Sequence, residues 1–263
     1  MHAIILAGGK GRRLYPYTMI LPKPLVPIGE MPIIEIVVRQ LATQGFEHIT
    51  IAVGYHAELI MAVMGDGSKW GVKIDYAVED KPLRTIGPLS QISGLDKTFL
   101  VMNGDLLTDL CFSKMIDFHI RSDAIATIAT CKRQVQLPLG VLTLDQSTDG
   151  TTICGFTEKP QFDYAVSMGI YLFEPDILKY IPPGDPFGFD DLMLRLLQEK
   201  VRINAFEFNG HWLDMGTHDD LDQAIEEFEQ HRDRYLPIDR PRNNRNKKSA
   251  ALPPGESTDY PNL

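Results

Sequence analysis

Apolar runs of strand length alternate with amphipathic helical segments at short spacing through the first half of the chain. The runs HAIILAGG, HITIAVG, VKIDYAVE and TFLVMNGD predict strands, and MPIIEIVVRQLATQGF, HAELIMAVMG and LCFSKMIDFHIRS predict helices. Parallel strands need crossover connections of this kind, usually helical ones. The alternation therefore predicts an α/β fold, a Rossmann-like α/β/α sandwich with a mixed, mainly parallel central sheet.

The second half is less regular. Here AIATIAT, GVLTLD, TICGFTE, VSMGIYLF and RINAFEF predict strands, and EPDILKYI and FDDLMLRLLQEK predict helices. A last helix, THDDLDQAIEEFEQH, has Thr217 as its expected N-cap. Residues 1–231 are expected to form one domain. Residues 232–263 are polar, basic and rich in proline, which predicts a flexible tail, with docking on a partner subunit as the less favoured alternative.

Composition excludes several classes of protein. The formal net charge of −9 gives no basic field for nucleic acid, so no nucleic-acid partner is expected. No apolar stretch has the length of a membrane span, and the run 3–7 is too short for a signal peptide. The three cysteines lack the spacing of a metal or disulfide framework, which indicates a cytoplasmic protein. A homo-oligomer is compatible with the sequence, which carries no signal for its state.

The first predicted strand ends in a glycine-rich loop that carries only positive charge. The opening segment, MHAIILAGGKGRRLYPYTMILPKPLVPIG, contains Lys10, Arg12, Arg13 and Lys23 and no Asp or Glu. Glycines after the first strand of an α/β unit let backbone N–H groups approach phosphate, and basic side chains add charge. The P-loop pattern is absent, and a dinucleotide fingerprint would need glycine at Leu14. The loop predicts a polyphosphate ligand, although Lys10 and Arg12 are equally compatible with a solvated rim.

Five ordered motifs carry a family resemblance. LAGGKGRRLYPYT followed by PKPLVPIG resembles the signature of the sugar-1-phosphate nucleotidyltransferases, and PLRTIGPL, VMNGDLL, FTEKP and WLDMGT follow in the family's order. The chain looks most like the mannose-1-phosphate guanylyltransferases and NDP-sugar synthases of that family. The resemblance implies an enzyme that joins a nucleoside triphosphate and a sugar 1-phosphate to give a nucleotide sugar and pyrophosphate. It shows no long C-terminal repeat domain, so no second activity is expected.

The resemblance also assigns roles to residues of this chain. Arg13 aligns with the family's catalytic arginine, and Lys23 is expected on the α-phosphate and the sugar phosphate. Asp105 and Asp214 are expected to hold Mg²⁺, which prefers oxygen ligands. The residues expected to bind the nucleotide are Leu6, Ala7, Gly8, Gly9, Gly11, Arg13, Glu79, Pro82, Thr85 and Gly104, and those expected to bind the sugar phosphate are Gly140, Glu158, Lys159 and Gly169, with Lys159 also catalytic.

The base and two departures from the family pattern leave questions open. A carboxylate at Glu79 would accept from the adjacent N–H groups of guanine, which favours GTP, unless Glu79 only ends a strand in solvent. Arg84 and Ile86 replace the family's Gly and Ala. Arg84 has four open consequences: a closed pocket, a changed base, lower activity or a phosphate contact. These departures motivate an alternative function, a non-catalytic subunit that binds nucleotide or nucleotide sugar and regulates a partner.

Overall fold

The computed structural model describes residues 1–147 and 150–236. In chain order, the strands are β1 (His2–Ala7), β2 (Pro27–Ile28), β3 (Met31–Pro32), β4 (His48–Val53), β5 (Lys73–Val78), β6 (Phe99–Asn103), β7 (Leu106–Thr108), β8 (Ala126–Gln136), β9 (Val141–Ser147), β10 (Gly150–Thr157), β11 (Gln161–Phe173), β12 (Ile203–Phe208) and β13 (Trp212–Asp214). The α-helices are α1 (Ile33–Thr43), α2 (Ala57–Met64), α3 (Phe112–Ile120), α4 (Phe189–Gln198), α5 (His218–Gln230) and α6 (Arg232–Tyr235). Short 3₁₀ helices include Arg12–Leu14, Lys23–Leu25 and Pro175–Tyr180.

The central sheet has seven strands in the order β12-β8-β11-β6-β1-β4-β5. The pairs β1–β4, β1–β6, β4–β5 and β8–β12 are parallel, whereas β11 runs antiparallel to both β6 and β8. The predicted mixed, mainly parallel sheet is therefore confirmed. The chain moves from β1 outward to β4 and β5 and then returns to β6 on the other side of β1. This reversal opens a crevice at the carboxyl ends of β1 and β6, where open α/β sheets bind ligands.

Both faces of the sheet are covered by helices, which explains the nearly continuous apolar sequence of its central strand. In β1, Ile5 packs into one core with α1, α2 and α3, while Ile4 packs into a second core with α4 and the 3₁₀ helix at 175–180. Both isoleucines are fully buried. A strand that is buried on both faces cannot show the alternation of a surface strand. The predicted α/β/α sandwich is confirmed.

Several boundaries differ from the sequence-based expectation. The segment EPDILKYI forms a 3₁₀ helix rather than an α-helix. The first predicted helix begins at Ile33, because Met31 and Pro32 pair with β2 and Pro32 is the N-cap. Strands β8 and β11 are longer than AIATIAT and VSMGIYLF predicted. They continue to pair with each other beyond β6, from Ser167 opposite Thr130 to Gln161 opposite Gln136, in a largely polar stretch.

The last described helices pack against the domain. Thr217 is the N-cap of α5 as predicted, since its hydroxyl accepts the N–H of Asp220 and the Asp220 carboxylate caps the Thr217 N–H in return. The expected flexible tail begins with α6, whose Tyr235 is 1% exposed and donates its hydroxyl to Glu227 at 3.0 Å. Packed structure thus continues to Tyr235, beyond the expected boundary at residue 231. Residues 237–263 of that prediction lie outside the described residues.

Two further expectations concern cysteines and membranes. The three cysteines, Cys111, Cys131 and Cys154, are free. Within the two described ranges, no helix combines the length and the apolar character needed to cross a bilayer.

Candidate active site

The glycine-rich loop follows β1 and is held tightly at Gly11. This residue has φ of +58°, a conformation that favours glycine, and a β-carbon there would lie 2.9 Å from Thr18 Cγ2 and 3.0 Å from Lys23 Cβ. Its carbonyl accepts the Thr18 hydroxyl at 2.9 Å and the Leu14 N–H at 2.9 Å. The loop and the segment that carries Lys23 therefore form one compact unit at the carboxyl end of β1.

Lys23 brings two distant aspartates together. Its ammonium forms an ion pair with Asp105 Oδ2 and lies 3.8 Å from Asp214 Oδ1. Asp105 directly precedes β7, and Asp214 ends β13, which pairs antiparallel with β7 so that Asp214 lies opposite Leu106. The side chain of Lys23 is only 12% exposed and that of Asp105 20%. A largely desolvated cation thus stands beside two carboxylates at the end of β6.

Burial and repulsion act together on the second aspartate. Burial raises the pKa of Asp214, and the charge of Asp105 raises it further, while Lys23 and Arg13 act in the opposite direction. The guanidinium of Arg13 lies against the backbone beyond Asp214, since a β-carbon on Gly216 would be 3.2 Å from Arg13 Nη1. The two carboxylates therefore sit in a place where additional positive charge is favourable.

These carboxylates fit a magnesium ion that shares its coordination with a substrate. Among residues 1–147 and 150–236, no three His, Cys, Asp or Glu side chains are arranged to hold a metal by themselves. Mg²⁺ is commonly bound by one or two carboxylates, with waters and substrate phosphates completing the shell. The convergence of Asp105 and Asp214 on the ammonium of Lys23 shows that a cation suits the gap between them.

Glu79 turns toward the glycine-rich loop rather than into solvent. It follows β5, its Oε2 accepts the N–H of Leu83 at 2.9 Å, and a β-carbon on Gly8 would lie 2.5 Å from Oε1. Burial raises the pKa of the Glu79 carboxyl, and the Leu83 hydrogen bond opposes that rise. The carboxylate is thus fixed at the edge of the loop, ready to accept further hydrogen bonds.

A cavity of about 960 Å³ opens between these elements. Its lining includes most of the residues that the sequence predicted for the nucleotide and its phosphates, namely Leu6, Ala7, Gly8, Gly9, Gly11, Arg13, Lys23, Glu79, Pro82, Thr85 and Asp105. Lys10 and Arg12 line it too, and both residues are exposed. Gly104 lies behind the wall, where its N–H donates to the Leu6 carbonyl at 2.9 Å and a β-carbon would be 3.0 Å from Ile5 Cγ2.

The residues predicted for the sugar phosphate lie outside that lining. Lys159 Nζ is 3.9 Å from Glu158 Oε1, both side chains are more than half exposed, and a β-carbon on Gly140 would be 3.1 Å from Glu158 Oε2. Gly169 has φ of +71°, and a β-carbon there would lie 2.6 Å from the amide nitrogen of Asn103, which lines the cavity. The structure therefore brings Gly140, Glu158 and Lys159 together near the β9–β10 hairpin and links Gly169 to the cavity through Asn103.

The two departures from the family pattern have different surroundings. Ile86 is fully buried in the second core, and its N–H donates to the Phe187 carbonyl at 2.9 Å, so it is a packing residue. Arg84 lines the cavity and forms ion pairs with Asp190 and Asp191 at the start of α4.

Sequence reasoning missed several lining residues, among them Gly54, Tyr55, Asn103 and Asp190. Gly54 and Tyr55 directly follow β4, which is parallel to β1. A glycine and an aromatic residue at the carboxyl end of this strand therefore gave a usable signal. Asn103 ends β6 two residues before Asp105 and gave a similar signal. Asp190 gave none, because only the folded chain brings α4 to the cavity.

Comparison with known proteins identifies the family of this chain. The sequence model of the family described as "Nucleotidyl transferase" matches residues 2–231. This chain belongs to that family. A UTP–glucose-1-phosphate uridylyltransferase of Synechocystis is 35% identical over 245 residues, covering 86% of this chain and 62% of the relative. A mannose-1-phosphate guanyltransferase of Candida albicans is 33% identical over 228 residues, covering 84% and 62%. This chain thus spans less than two thirds of the length of these curated relatives.

A solved structure shares the architecture. HddC from Yersinia pseudotuberculosis, complexed with GMP-PN, superposes with a TM-score of 0.65 at 26% identity, over 86% of this chain and 99% of that chain. The match therefore covers nearly all of that neighbour.

Proposed function

We propose that this chain joins a nucleoside triphosphate, with GTP preferred, to a hexose 1-phosphate, giving a nucleoside-diphosphate sugar and pyrophosphate. The observation that carries the proposal is the meeting of Lys23, Asp105 and Asp214 at the mouth of a glycine-rich loop that opens on a cavity of about 960 Å³. Such an arrangement suits a reaction in which positioning and charge neutralisation supply the catalysis.

The nucleophile needs no general base. A phosphate monoester has a second pKa of about 6, so the oxygen of a sugar 1-phosphate is already largely ionised at neutral pH. This oxygen attacks the α-phosphorus in line, the bond from that phosphorus to the bridging oxygen breaks, and pyrophosphate leaves with the electron pair. The described site contains cations and carboxylates suited to this chemistry.

Different groups of the site are assigned to the different phosphates and to the sugar. The backbone from Gly8 to Gly11 approaches the triphosphate, and Arg13, beside Gly216, neutralises the pyrophosphate as it leaves. Lys23 lies between the loop and Asp105, where it holds the α-phosphate and the incoming sugar phosphate. Lys159 is assigned to the sugar phosphate and Glu158 to the sugar hydroxyls.

Asp105 and Asp214 would hold Mg²⁺. When bound, the ion would supply positive charge for the phosphate oxygens, as divalent ions do in phosphoryl transfer. With the carboxylates so occupied, the ammonium of Lys23 would face the substrate phosphates, which its flexible stem allows.

The preference for guanine rests on Glu79 and on the relatives. A fixed carboxylate accepts the paired N–H groups of guanine, whereas uracil and thymine suit an amide. The mannose-1-phosphate guanyltransferases among the relatives agree with GTP, although the Synechocystis relative is named for UTP. The same names, with mannose and glucose, support a hexose 1-phosphate as the second substrate.

Pyrophosphate release tests the proposal. The protein is incubated with Mg²⁺, each of ATP, GTP, CTP, UTP and dTTP, and a panel of hexose and heptose 1-phosphates. Release with GTP and one hexose 1-phosphate is the expected result. A pyrimidine preference would contradict the role of Glu79. Nucleotide-dependent stabilisation of the folded protein without release across the whole matrix would favour the regulatory subunit instead.

A further inference from the structure

Arg84 is anchored at the rim of the cavity with an unusual backbone. Its φ is +64°, which an arginine rarely adopts, and it stands where glycine is usual in the family motif. Its Nη2 donates to both oxygens of Asp190, at 2.8 and 2.9 Å, and its Nη1 forms an ion pair with Asp191. A forked pairing of this kind fixes the plane of the guanidinium.

The segment around Arg84 is held in place without its side chain. The backbone N–H groups of Ile86 and Gly87 both donate to the Phe187 carbonyl, at 2.9 and 2.8 Å, and the Phe187 N–H donates to the Leu83 carbonyl at 2.9 Å. The Phe189 N–H donates to the Thr85 hydroxyl at 2.9 Å. These four bonds already fasten the segment to the start of α4. The ion pairs are also largely exposed, and exposed pairs stabilise little. Attachment of this segment therefore does not account for an arginine in a strained conformation.

Gly188 makes room for the guanidinium. A β-carbon on Gly188 would lie 2.6 Å from Arg84 Nη2 and 2.7 Å from Cζ, so the guanidinium rests directly on the backbone there. Asp191, whose carboxylate also accepts the Gly188 N–H at 2.8 Å, completes the support. The guanidinium thus contacts Gly188, Asp190 and Asp191, and Arg84 is at the same time one of the residues that line the cavity.

The carboxylates of Asp190 and Asp191 limit the kind of ligand atom that the Arg84 guanidinium can bind. They neutralise its charge and tether it to α4, so it is not a phosphate-binding group like Arg13. No bond to a described residue uses its Nε–H, which remains available to a neutral acceptor. Glu79, which is assigned to the N–H edge of the base, lines the same cavity. Guanine carries acceptors, O6 and N7, on the neighbouring edge, and arginine is their usual partner in nucleic-acid recognition.

We infer that Arg84, oriented by Asp190 and Asp191, is a specificity-determining residue that donates to the O6/N7 edge of a guanine base. The inference rests on the proposed function and deepens it, because it names a second residue that recognises the base, at the edge next to the one assigned to Glu79. Adenine presents an amino group in place of O6, so the same arginine disfavours ATP.

The test compares GTP with 7-deaza-GTP, which lacks only the N7 acceptor. For the wild type, kcat/KM is expected to be about tenfold higher with GTP, the size of one good base contact. Arg84→Gly, which suits the positive φ, should fold normally and bring that ratio close to one, and Arg84→Lys should give an intermediate ratio. Arg39→Ala, which removes an arginine of similar exposure from an ion pair on α1, should leave the ratio unchanged.

Three results would overturn the inference: equal use of GTP and 7-deaza-GTP by the wild type, a uniform slowing of all triphosphates in Arg84→Gly, or a preference for ATP. If no triphosphate releases pyrophosphate, the proposed function fails, and calorimetric binding of GDP and 7-deaza-GDP then decides the inference. A tenfold difference in Kd that Arg84→Gly removes supports it, and equal binding by the wild type overturns it.

Discussion

Replacing Lys23 with methionine removes the cation that joins the two aspartates while keeping most of the side-chain volume. The ion pair of Lys23 with Asp105 contributes about 1.5–3 kcal/mol, the range for a contact to a charged group. For the second pair, Lys23 and Asp214, Coulomb's law gives about 4 kcal/mol for two unit charges 4 Å apart at an effective dielectric constant of about 20. Because the Asp214 side chain is 43% exposed, solvent reduces its share to about 0.2–1 kcal/mol. We therefore expect a loss of about 2–3 kcal/mol at pH 7, which lowers Tm by about 4–12 °C.

The loss must depend on pH in a defined direction. In the wild type, the pKa of Asp214 is raised, so the folded state binds a proton more readily than the unfolded state and stability falls as pH rises through that window. Because Lys23 holds the pKa of Asp214 down, its removal raises that pKa further and enlarges the effect. The stability lost in Lys23→Met is therefore greatest at pH 7 and shrinks toward pH 4, as Asp214 becomes protonated.

Thermal unfolding followed by circular dichroism at pH 7 and pH 4.5 measures this effect. The double variant Lys23→Met/Asp105→Asn, which removes the unpaired carboxylate as well, should recover part of the loss. Lys179→Met breaks an exposed pair with Asp176 and serves as the matched control, with a change of less than about 0.5 kcal/mol. A Tm of Lys23→Met equal to that of the wild type at pH 7, or a double variant that is simply additive, would refute the reasoning.

Three other predictions concern the base, the loop and the C-terminal helix. Glu79→Gln should shift the preference from GTP toward UTP or dTTP in a pyrophosphate-release assay, and an unchanged preference would count against the carboxylate. Gly11→Ala should destabilise the fold by about 1–2 kcal/mol and raise KM for the triphosphate, because φ is +58° and the new methyl group would lie 2.9 Å from Thr18 Cγ2. Unfolding and KM equal to those of the wild type would contradict this prediction. Tyr235→Ala should cost about 3 kcal/mol in urea unfolding, since the ring is buried and its hydroxyl bonds Glu227; a cost below about 0.5 kcal/mol would mean that α6 is not part of the domain.

Features set by neighbouring residues could be predicted from the sequence. The apolar run of β1 ends in glycines, and the strand, the loop and its place in the crevice all follow from that local pattern. The N-cap at Thr217 follows in the same way, because the capping group and its partner, Asp220, are three residues apart. In both cases the residues that determine the structure are adjacent in sequence, so pattern and propensity suffice.

Features set by distant pairings could not be predicted in this way. Asp214 meets Asp105 because β13 pairs with β7, and Asp190 meets Arg84 because α4 packs beside the cavity. No local periodicity of the sequence predicts the pairing of β13 with β7 or the packing of α4 beside the cavity. The family motif supplied Asp105 and Asp214, whereas Asp190 belongs to no motif and was missed. The extension of β8 and β11 was also missed, although Phe162, Tyr164 and Val166 occupy every second position of β11 and gave a usable signal.

The most direct measurement of the central claim is pyrophosphate release from GTP and mannose 1-phosphate by the wild type and by Asp105→Asn, each with Mg²⁺ and with EDTA. The account predicts steady release by the wild type with Mg²⁺, none with EDTA, and a loss of at least about 100-fold in Asp105→Asn, whose far-UV spectrum stays that of the wild type. Equal release by Asp105→Asn, or release that is indifferent to EDTA, would contradict the assignment of Asp105 and Asp214 to a metal-assisted transfer.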